Sequence, residues 1–358
     1  DPRQSMRSRN WMVVPWNVGN MNFNYRVTEN LLINTKVFGI ISERNSVGMV
    51  SALTVKDTFN TKIGSYNPRQ VDRDNYNNFG TETRVLQSYS LGGQKQYASL
   101  GVRYYKGNML RRQLGKGSTG TDANINTEIL NSSGDRYGRE LRYITENVAF
   151  FAEHLFKIGK YISITPGARY EMISSFASGY YKLTGTTHES ISSSARARNV
   201  LLFGATMQAN VTEKTNIYGG YSQNYRPITY SELTPSGTTD VIDPDLKDAS
   251  GYNADLGYRG TIKDVISFDL GAFYLHYDNR IGTITQNNAP FRTNIGTSVN
   301  KGIESYLEID ILGLACGSAK LGHLNIYGAF SYIDAKYTRW DNPVIVNDPT
   351  KTLVDRKV

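Results

Sequence analysis

The sequence has few of the residues that build disulfide frameworks, metal sites and membrane helices. Its 358 residues include one cysteine, Cys316, which excludes an internal disulfide and offers no cysteine cluster for a metal. The four histidines lie far apart in the chain, so they do not form the pattern of a zinc site. No apolar run reaches the roughly 18 to 20 residues of a membrane-spanning helix, so any membrane-spanning part must be made of strands.

Core-forming residues are also scarce. Only 39% of the chain is hydrophobic and 20% is charged, whereas tyrosine occurs 25 times and glycine 33 times. A soluble protein of this length normally carries more leucine, isoleucine and valine. A large barrel with a polar lumen needs fewer apolar residues, because each strand turns only half of its side chains to lipid and aromatic residues collect at the two interfaces. The tyrosine surplus fits such a barrel.

The net charge of +8 is dispersed along the chain. The 40 lysines and arginines form no basic run longer than a pair, such as Arg111 with Arg112, so we do not expect a nucleic-acid partner. No nucleophile elbow is present, and the Gly-Lys-Gly-Ser run at 115–118 lacks the spacing of a phosphate-binding loop. We therefore expect no catalytic residues, no metal site and no cofactor, and we interpret the chain as a binding or transport protein and not an enzyme.

A two-residue alternation dominates the sequence and is clearest at 161–171. Small or charged residues there separate the apolar or aromatic residues Ile162, Ile164, Pro166, Ala168 and Tyr170. Successive side chains of a strand point to opposite faces, so this segment has one apolar and one polar face. The apolar members of similar rows elsewhere include Leu100, Val102, Leu201, Phe203, Leu256, Ile303 and Leu307. The polar face is too charged to line a hydrophobic core.

Twelve such segments come in six pairs. They are 19–26 with 31–41, 78–90 with 97–106, 140–156 with 161–173, 198–211 with 215–225, 250–259 with 265–278, and 300–311 with 322–337. Most links within pairs are short and turn-like, whereas those between pairs are long and polar, at 44–77, 107–139, 174–197, 226–249 and 279–299. Short periplasmic turns and long extracellular loops are typical of an outer-membrane barrel. A soluble sandwich would also expose the charges, but it rarely needs strands of about ten or more residues.

Residues 218–310 carry a family resemblance. They contain the runs Tyr-Ser-Gln-Asn-Tyr-Arg-Pro at 221–227, Asp-Pro-Asp-Leu-Lys at 243–247, Asn-Arg-Ile at 279–281 and Lys-Gly-Ile-Glu at 301–304. Their order and spacing resemble the barrel of TonB-dependent outer-membrane receptors. Segments 9–50 and 146–170 are most similar to the ferric-citrate type of siderophore receptor.

The resemblance implies an all-β fold, a transmembrane antiparallel barrel of about 22 strands whose lumen is closed by an N-terminal plug. About 12 strands are visible, so residues 1–358 are expected to be part of one barrel domain, with the plug and the terminal strands outside this chain. The implied location is the bacterial outer membrane. The implied partners are an iron chelate, the TonB–ExbB–ExbD energy complex acting through the plug, and outer-membrane lipid.

Arginines are the candidate ligand-binding residues, because the guanidinium group is always charged and offers a planar fork to carboxylates. Arg103 and Arg169 lie on polar faces of predicted strands. Arg111, Arg112 and Arg226 lie at or just beyond predicted outer strand ends. The alternative role is an ion pair with a carboxylate of the plug or of the barrel wall. For any one of these arginines, we expect the ion pair more than the ligand contact. The wall carboxylates in question are Glu171, Glu304, Glu308 and Asp255.

The function expected from these observations is uptake of an iron chelate, such as ferric citrate, by a TonB-dependent receptor. Two alternatives stay open. The same architecture could take up cobalamin or an oligosaccharide. A different class of protein, a self-contained barrel of about 12 strands acting as an outer-membrane lipase or a pore, would need a closed sheet and, for a lipase, a Ser-His pair at one rim.

Overall fold

The alternating segments fold into one sheet of 15 strands. The structure, a computed structural model, describes residues 7–51, 54–127, 130–131, 133–184, 186–191, 194–229, 232, 241–286, 289–317, 322–340 and 354–357. Within this part of the chain, no helix is long and apolar enough to cross a membrane.

All but one of the assigned elements are strands. They are β1 (Trp11–Val13), β2 (Trp16–Thr28), β3 (Leu31–Gly48), β4 (Gln70–Leu91), β5 (Gln94–Lys116), β6 (Arg139–Ile158), β7 (Ile162–Thr184), β8 (Thr187–Ser190), β9 (Ser194–Asn210), β10 (Thr215–Arg226), β11 (Val241–Ile242), β12 (Ala249–Ile262), β13 (Ile266–Gln286), β14 (Ala289–Asp310) and β15 (Asn325–Arg339). One short helix, α1 (Ile311–Cys316), follows β14.

The twelve predicted strands are all present, and each pairs antiparallel with its neighbour in the chain. They are β2 to β7, β9, β10 and β12 to β15, and the three other strands are short additions at β3, β7 and β14. Such a meander brings alternate connections to the same end of the sheet. The short turns at 29–30, 92–93, 159–161, 211–214 and 263–265 therefore share one end, which we call the turn end, together with the connection that contains α1.

At the opposite end, which we call the loop end, the strands are longer than the sequence predicts. β5 continues to Lys116 and β7 to Thr184, and most of the expected loop 279–299 belongs to β13 and β14. The backbone ladder continues there, but the side chains no longer alternate between apolar and polar. Apolar and polar side chains alternate only where one face of the strand meets an apolar environment and the other does not. The alternation in the sequence therefore ends before the strand does.

The two faces of the sheet differ in chemistry. One face, called here the apolar face, presents leucines and aromatic residues that nothing covers. Leu100 is 61% exposed and Leu256 58%. The residues Leu201, Phe203, Ile303 and Leu307 lie on this face, as the alternation predicts, and each is about half exposed. The other, called the charged face, carries the arginines, aspartates and glutamates described below. A water-soluble sandwich would cover such an apolar face, so the sheet has the polarity of a membrane barrel.

The sheet is open in the part of the chain that the structure describes. β2 and β15 lie at its two edges and do not pair with each other. These residues therefore do not form the closed barrel of about 12 strands that the lipase or pore alternative requires.

Little of the chain forms a conventional core. One small hydrophobic cluster contains Leu141, Tyr143 and Ala177 near the loop end, with Met109 packed against it. At the turn end, Asp310 caps α1 by accepting a hydrogen bond from the Gly313 amide at 3.1 Å. Cys316 is the last residue of this helix.

Candidate functional site

A cluster at mid-strand on the charged face is built around Phe151. The ring lies over Gly101, its partner on β5, where a Cβ atom would come within 2.1 Å of the ring. The guanidinium groups of Arg84 and Arg169 lie 5.4 and 5.5 Å from the ring centroid. Cations within about 6 Å of an aromatic ring are attracted to its face. Because Gly101 has no side chain, one ring can contact two arginines from different strands.

Two glutamates hold these arginines. Arg84 Nε donates to Glu82 Oε1 at 2.7 Å, and Arg169 Nε donates to Glu171. The other oxygen of Glu82 lies 3.6 Å from Nη1 of Arg103. Arg103 and Arg169, both predicted as ligand-binding residues, thus line the same part of the charged face. Three arginines and two glutamates are thus grouped here, and a third glutamate, Glu153, lies beside them toward the turn end.

A recess of about 440 Å³ opens beside Phe151, on the side toward the turn end. Its walls include Arg84, Phe151, Arg169 and Glu153. Its floor is low where the small residues Gly167, Gly204 and Ser222 follow one another on β7, β9 and β10, and Glu153 of β6 separates them from Ser99 on β5. The arrangement leaves room for a small polar molecule that accepts hydrogen bonds from the two arginines.

Nearer the loop end, Arg111 and Arg112 have different roles although they are adjacent. Both lie inside β5 and not at its end, because the strand is longer than predicted. Arg111 is on the charged face and forms a bidentate ion pair with Asp74, with Nε–Oδ1 3.1 Å and Nη2–Oδ2 3.3 Å. Arg112 is on the opposite face, where its Nη2 donates to Asn75 Oδ1 at 2.6 Å. Arg112 therefore lies away from Arg103 and Arg169.

Arg226 ends β10 at the loop end and pairs with Glu232, with Nη2–Oε1 2.7 Å. Burial would raise the pKa of Glu232, but hydrogen bonds from Arg226 and Thr229 outweigh it and hold that pKa below its usual value. The pair does not contact the mid-strand cluster. The five predicted arginines therefore do not converge on one point.

A second ordered contact at the loop end centres on Asp248. Its Oδ2 accepts from Arg198 Nε at 2.5 Å and from the Tyr225 hydroxyl, and its Oδ1 accepts from the Ile228 amide at 2.7 Å. Burial acts to raise the pKa of Asp248, but the hydrogen bonds from Arg198, Tyr225 and Ile228 lower it below the usual range. This carboxylate ties Ile228 to Arg198 of β9 and Tyr225 of β10.

Two buried arginines tie the connections at 54–69 and 117–122 together. Arg9 forms a bidentate pair with Asp57, at 2.8 and 2.9 Å, and its Nη1 donates to the carbonyl oxygens of Thr119 and Gly120. Arg69 donates to the carbonyl oxygens of Arg9 and Asp122 and to the Asp122 carboxylate. Sequence reasoning missed both, because nothing in the pattern separates a buried arginine from an exposed one.

The charged face reverses sign toward β12–β14. Tyr218 lies over Gly257, donates to Asp269 Oδ1 at 2.8 Å, and carries Arg259 above its ring at 4.7 Å. This arginine has acidic neighbours, with Asp269 opposite it on β13. In the described part of the chain, no three histidine, cysteine or acidic side chains are grouped to bind a metal.

The comparisons with known proteins agree on one family. The profile described as "TonB dependent receptor-like, beta-barrel" matches residues 7–354. No curated protein matches the sequence. Among solved structures, the unliganded ferric citrate transporter FecA is similar, with a TM-score of 0.71 and 18% identity over 94% of this chain and 45% of that one.

Two further structures show the same fold. The siderophore receptor PiuA from Acinetobacter baumannii has a TM-score of 0.66 and 14% identity, covering 93% of this chain and 48% of that one. The closed form of the ferric-catecholate import receptor Fiu from E. coli K12 has a TM-score of 0.66 and 12% identity, covering 93% and 49%. The chain thus spans about half the length of these receptors. It belongs to the TonB-dependent receptor β-barrel family of the Gram-negative outer membrane, with its apolar face toward lipid and its charged face toward the lumen.

Proposed function

We propose that the chain forms about half of the barrel of a TonB-dependent receptor that binds an iron chelate and admits it by gated transport. The family supports the transport role, and three similar structures are those of a ferric citrate transporter, a siderophore receptor and a ferric-catecholate import receptor. The work is binding and passage and not catalysis. A plug domain encoded outside this chain would relay binding to the TonB–ExbB–ExbD complex.

The observation that carries the choice of cargo is the group of arginines on the lumen wall at mid-strand. Arg84, Arg103 and Arg169 lie there together with Glu82, Glu171 and Glu153. An iron chelate with several carboxylates, such as ferric citrate, is anionic and can accept hydrogen bonds from these guanidinium groups. Arg103 and Arg169 are the ligand contacts we favour, and Arg226 is a third at the loop end. Arg111 forms an ion pair with Asp74, and Arg112 lies on the other face, so we expect both to contribute less to ligand binding.

Growth of a strain whose only iron receptor is the full-length protein tests the proposal. We expect growth on ferric citrate, and no growth when TonB is removed. Arg103→Ala and Arg169→Ala should each weaken binding of ferric citrate by roughly ten- to a hundredfold, the usual effect of losing one charged hydrogen bond. A neutral chelate should be unaffected, and the loss should shrink at high salt. Uptake of cobalamin or of a neutral sugar instead of any iron chelate would contradict the proposal.

A further inference from the structure

A row of aromatic side chains crosses the apolar face on β10, β12 and β13 toward the loop end. The ring centroids of Tyr221 and Tyr252 lie 5.6 Å apart, and those of Tyr252 and Tyr274 lie 6.1 Å apart. His276 extends the row, stacked on Tyr252 at 5.0 Å. Tyr221 is 42% exposed and Tyr274 36%, so the described part of the chain leaves this tyrosine row open to the surroundings of the barrel.

The tyrosine row lies at the outer boundary of the lipid-facing band. On β14 the apolar face carries uncharged residues from the turn end as far as Ile303, and the next residue on that face, opposite Tyr274, is Lys301. Lys301 is nine residues from Asp310, which ends β14, and a strand of about 9 to 11 residues crosses a bilayer on a tilt. Because the short turns of such barrels are periplasmic, Lys301 and Tyr274 lie at the level of the outer leaflet.

Three lysines continue the tyrosine row along the same face. Lys301 is on β14, Lys336 lies diagonally across from it on β15, and Lys357 is the cross-strand partner of Lys336. Diagonal neighbours on adjacent strands are roughly 7 to 8 Å apart, so the ammonium groups of these flexible side chains can reach one anionic group. Lys301 and Lys357 are exposed, and within the described residues neither forms an ion pair.

The cations at this level outnumber the carboxylates. Asp334 lies 3.4 Å from Lys336 Nζ, and Asp278 accepts a hydrogen bond from Thr297 at 2.7 Å. With His276 neutral, the charged side chains at this level of the face give a net charge of +1; they are Lys301, Lys336, Lys357 and Arg339 with Asp278, Asp334 and Asp355.

We infer that the tyrosine row and these lysines bind the phosphorylated sugar head group of an outer-leaflet glycolipid. Ammonium groups bind phosphate as point charges. Tyrosine at a membrane boundary presents an apolar ring face and a hydroxyl group, which match the C–H face and the hydroxyls of a sugar ring. A phospholipid such as phosphatidylglycerol offers a phosphate but no ring for the tyrosines. The site is on the outside of the barrel and is separate from the passage of a chelate through the lumen.

A lysine elsewhere on the apolar face supplies a matched control. Lys106 of β5 also follows the apolar part of its strand, two residues beyond Tyr104, and 39% of its side chain is exposed. Its Nζ lies 2.6 Å from Glu146, so its charge is already paired. Lys106→Gln therefore removes a lysine at the membrane boundary without removing an unpaired cation.

The test uses the purified full-length receptor in detergent and native mass spectrometry, which counts bound lipids. The probes are lipid A, a bisphosphorylated and acylated glucosamine disaccharide, and phosphatidylglycerol. We expect the wild type to bind lipid A at least about tenfold more tightly than phosphatidylglycerol. Lys301→Gln/Lys336→Gln/Lys357→Gln should weaken lipid A binding by at least about tenfold, and Lys106→Gln by less than about twofold.

The tyrosines are tested separately from the charge. Tyr221→Leu/Tyr274→Leu keeps the face apolar and should weaken binding of lipid A while leaving that of phosphatidylglycerol unchanged. If the triple lysine variant does not fold, Lys301→Gln alone, at an exposed and unpaired side chain, should still weaken lipid A binding by about threefold.

Three results would overturn the site. One is equal affinity of the wild type and of the folded lysine variants for lipid A. Another is equal affinity of the wild type for lipid A and phosphatidylglycerol, since the tyrosine row would then be an ordinary membrane boundary. The third is a loss with Lys106→Gln as large as with the triple variant, because any lysine at this level would then serve.

Discussion

Arg111 and Asp74 face each other across β5 and β4 and form two hydrogen bonds, although the carboxylate is almost completely buried. Arg44 lies 4.0 Å from the same carboxylate, too far to replace the pair. A buried charge that loses its partner retains the cost of desolvation. The pair is thus a structural element of the lumen wall. This agrees with the expectation that any single arginine is more often an ion-pair partner than a ligand contact.

Arg111→Ala should lower the free energy of unfolding by about 3 to 5 kcal/mol, because it leaves Asp74 buried without its bidentate partner. Urea unfolding of the full-length receptor in lipid vesicles measures this. Arg111→Ala/Asp74→Asn should lower the free energy of unfolding much less than the single variant does, since no buried charge is then left without a partner. Arg112→Ala, on the other face, should cost about 1 kcal/mol. Similar losses for all three variants would show that the ion pair is not buried in the whole protein.

Ile303→Arg should destabilise the inserted barrel by about 2 to 4 kcal/mol, because Ile303 is on the apolar face seven residues from the turn end of β14, roughly 23 Å along a tilted strand. Glu304→Arg, one residue further on the charged face, is the control and should insert normally. Leu307 lies only three residues from the end of β14, so Leu307→Arg should cost less than Ile303→Arg. Equal insertion of Ile303→Arg and Glu304→Arg would reverse our assignment of the faces.

Gly257→Ala should cost about 1 to 3 kcal/mol in the free energy of unfolding, because the new methyl group would come within 2.3 Å of the Tyr218 ring. Gly271→Ala, whose Cβ meets only the Tyr218 hydroxyl at 3.3 Å, is the matched control and should cost less. In a Tyr218→Ala background the two substitutions should lower the free energy of unfolding by similar amounts. If the two changes are the same with and without the Tyr218 ring, ring packing is not the cause.

The contact at Asp248 should be lost in acid. Its pKa is lower in the folded protein than in the unfolded chain, so its contribution is complete at neutral pH and disappears as the pH falls through the folded pKa, below about pH 4. Limited acid proteolysis of the full-length receptor should therefore cut 227–248 faster as the pH drops below this value. Asp248→Asn should be cut equally fast at pH 7 and about pH 2. A wild-type protein with the same rate at both values would disagree with this assignment.

Cysteines at the two ends of the sheet should label differently in intact cells. Thr119 and Lys62 are the outer positions, since the neighbouring Ser118 accepts a hydrogen bond from Arg69. At the turn end Lys160 is suitable, whereas Gly159 has φ +61, a conformation that strains other residues. In a Cys316→Ser background, Thr119→Cys and Lys62→Cys should react with an impermeant thiol reagent and Lys160→Cys should not. Labelling of all three would contradict the orientation.

Strand number, pairing and facing could be predicted because lipid imposes a two-residue period that the sequence records at Leu201 and Ile303. Strand ends at the loop end could not, since β13 and β14 continue by backbone hydrogen bonds that need no particular side chains. The facing of Arg103 and Arg169 could be predicted from their polar positions, and their role in ligand binding stays a prediction. The cluster of Arg84 with Phe151 could not be predicted, because it depends on Gly101 lying opposite on a neighbouring strand, a relation between strands that alternation along one strand does not contain.

The two buried arginines at the loop end bind mainly to backbone. Of the acceptors of Arg9 and Arg69, those supplied by Thr119, Gly120 and the main chain of Asp122 are carbonyl oxygens, which every amino acid provides. Anchoring of this kind is insensitive to most substitutions in the anchored segment. Residues 119–121 can therefore change their side chains while the segment keeps its position, provided that Arg9, Arg69 and Asp122 are retained.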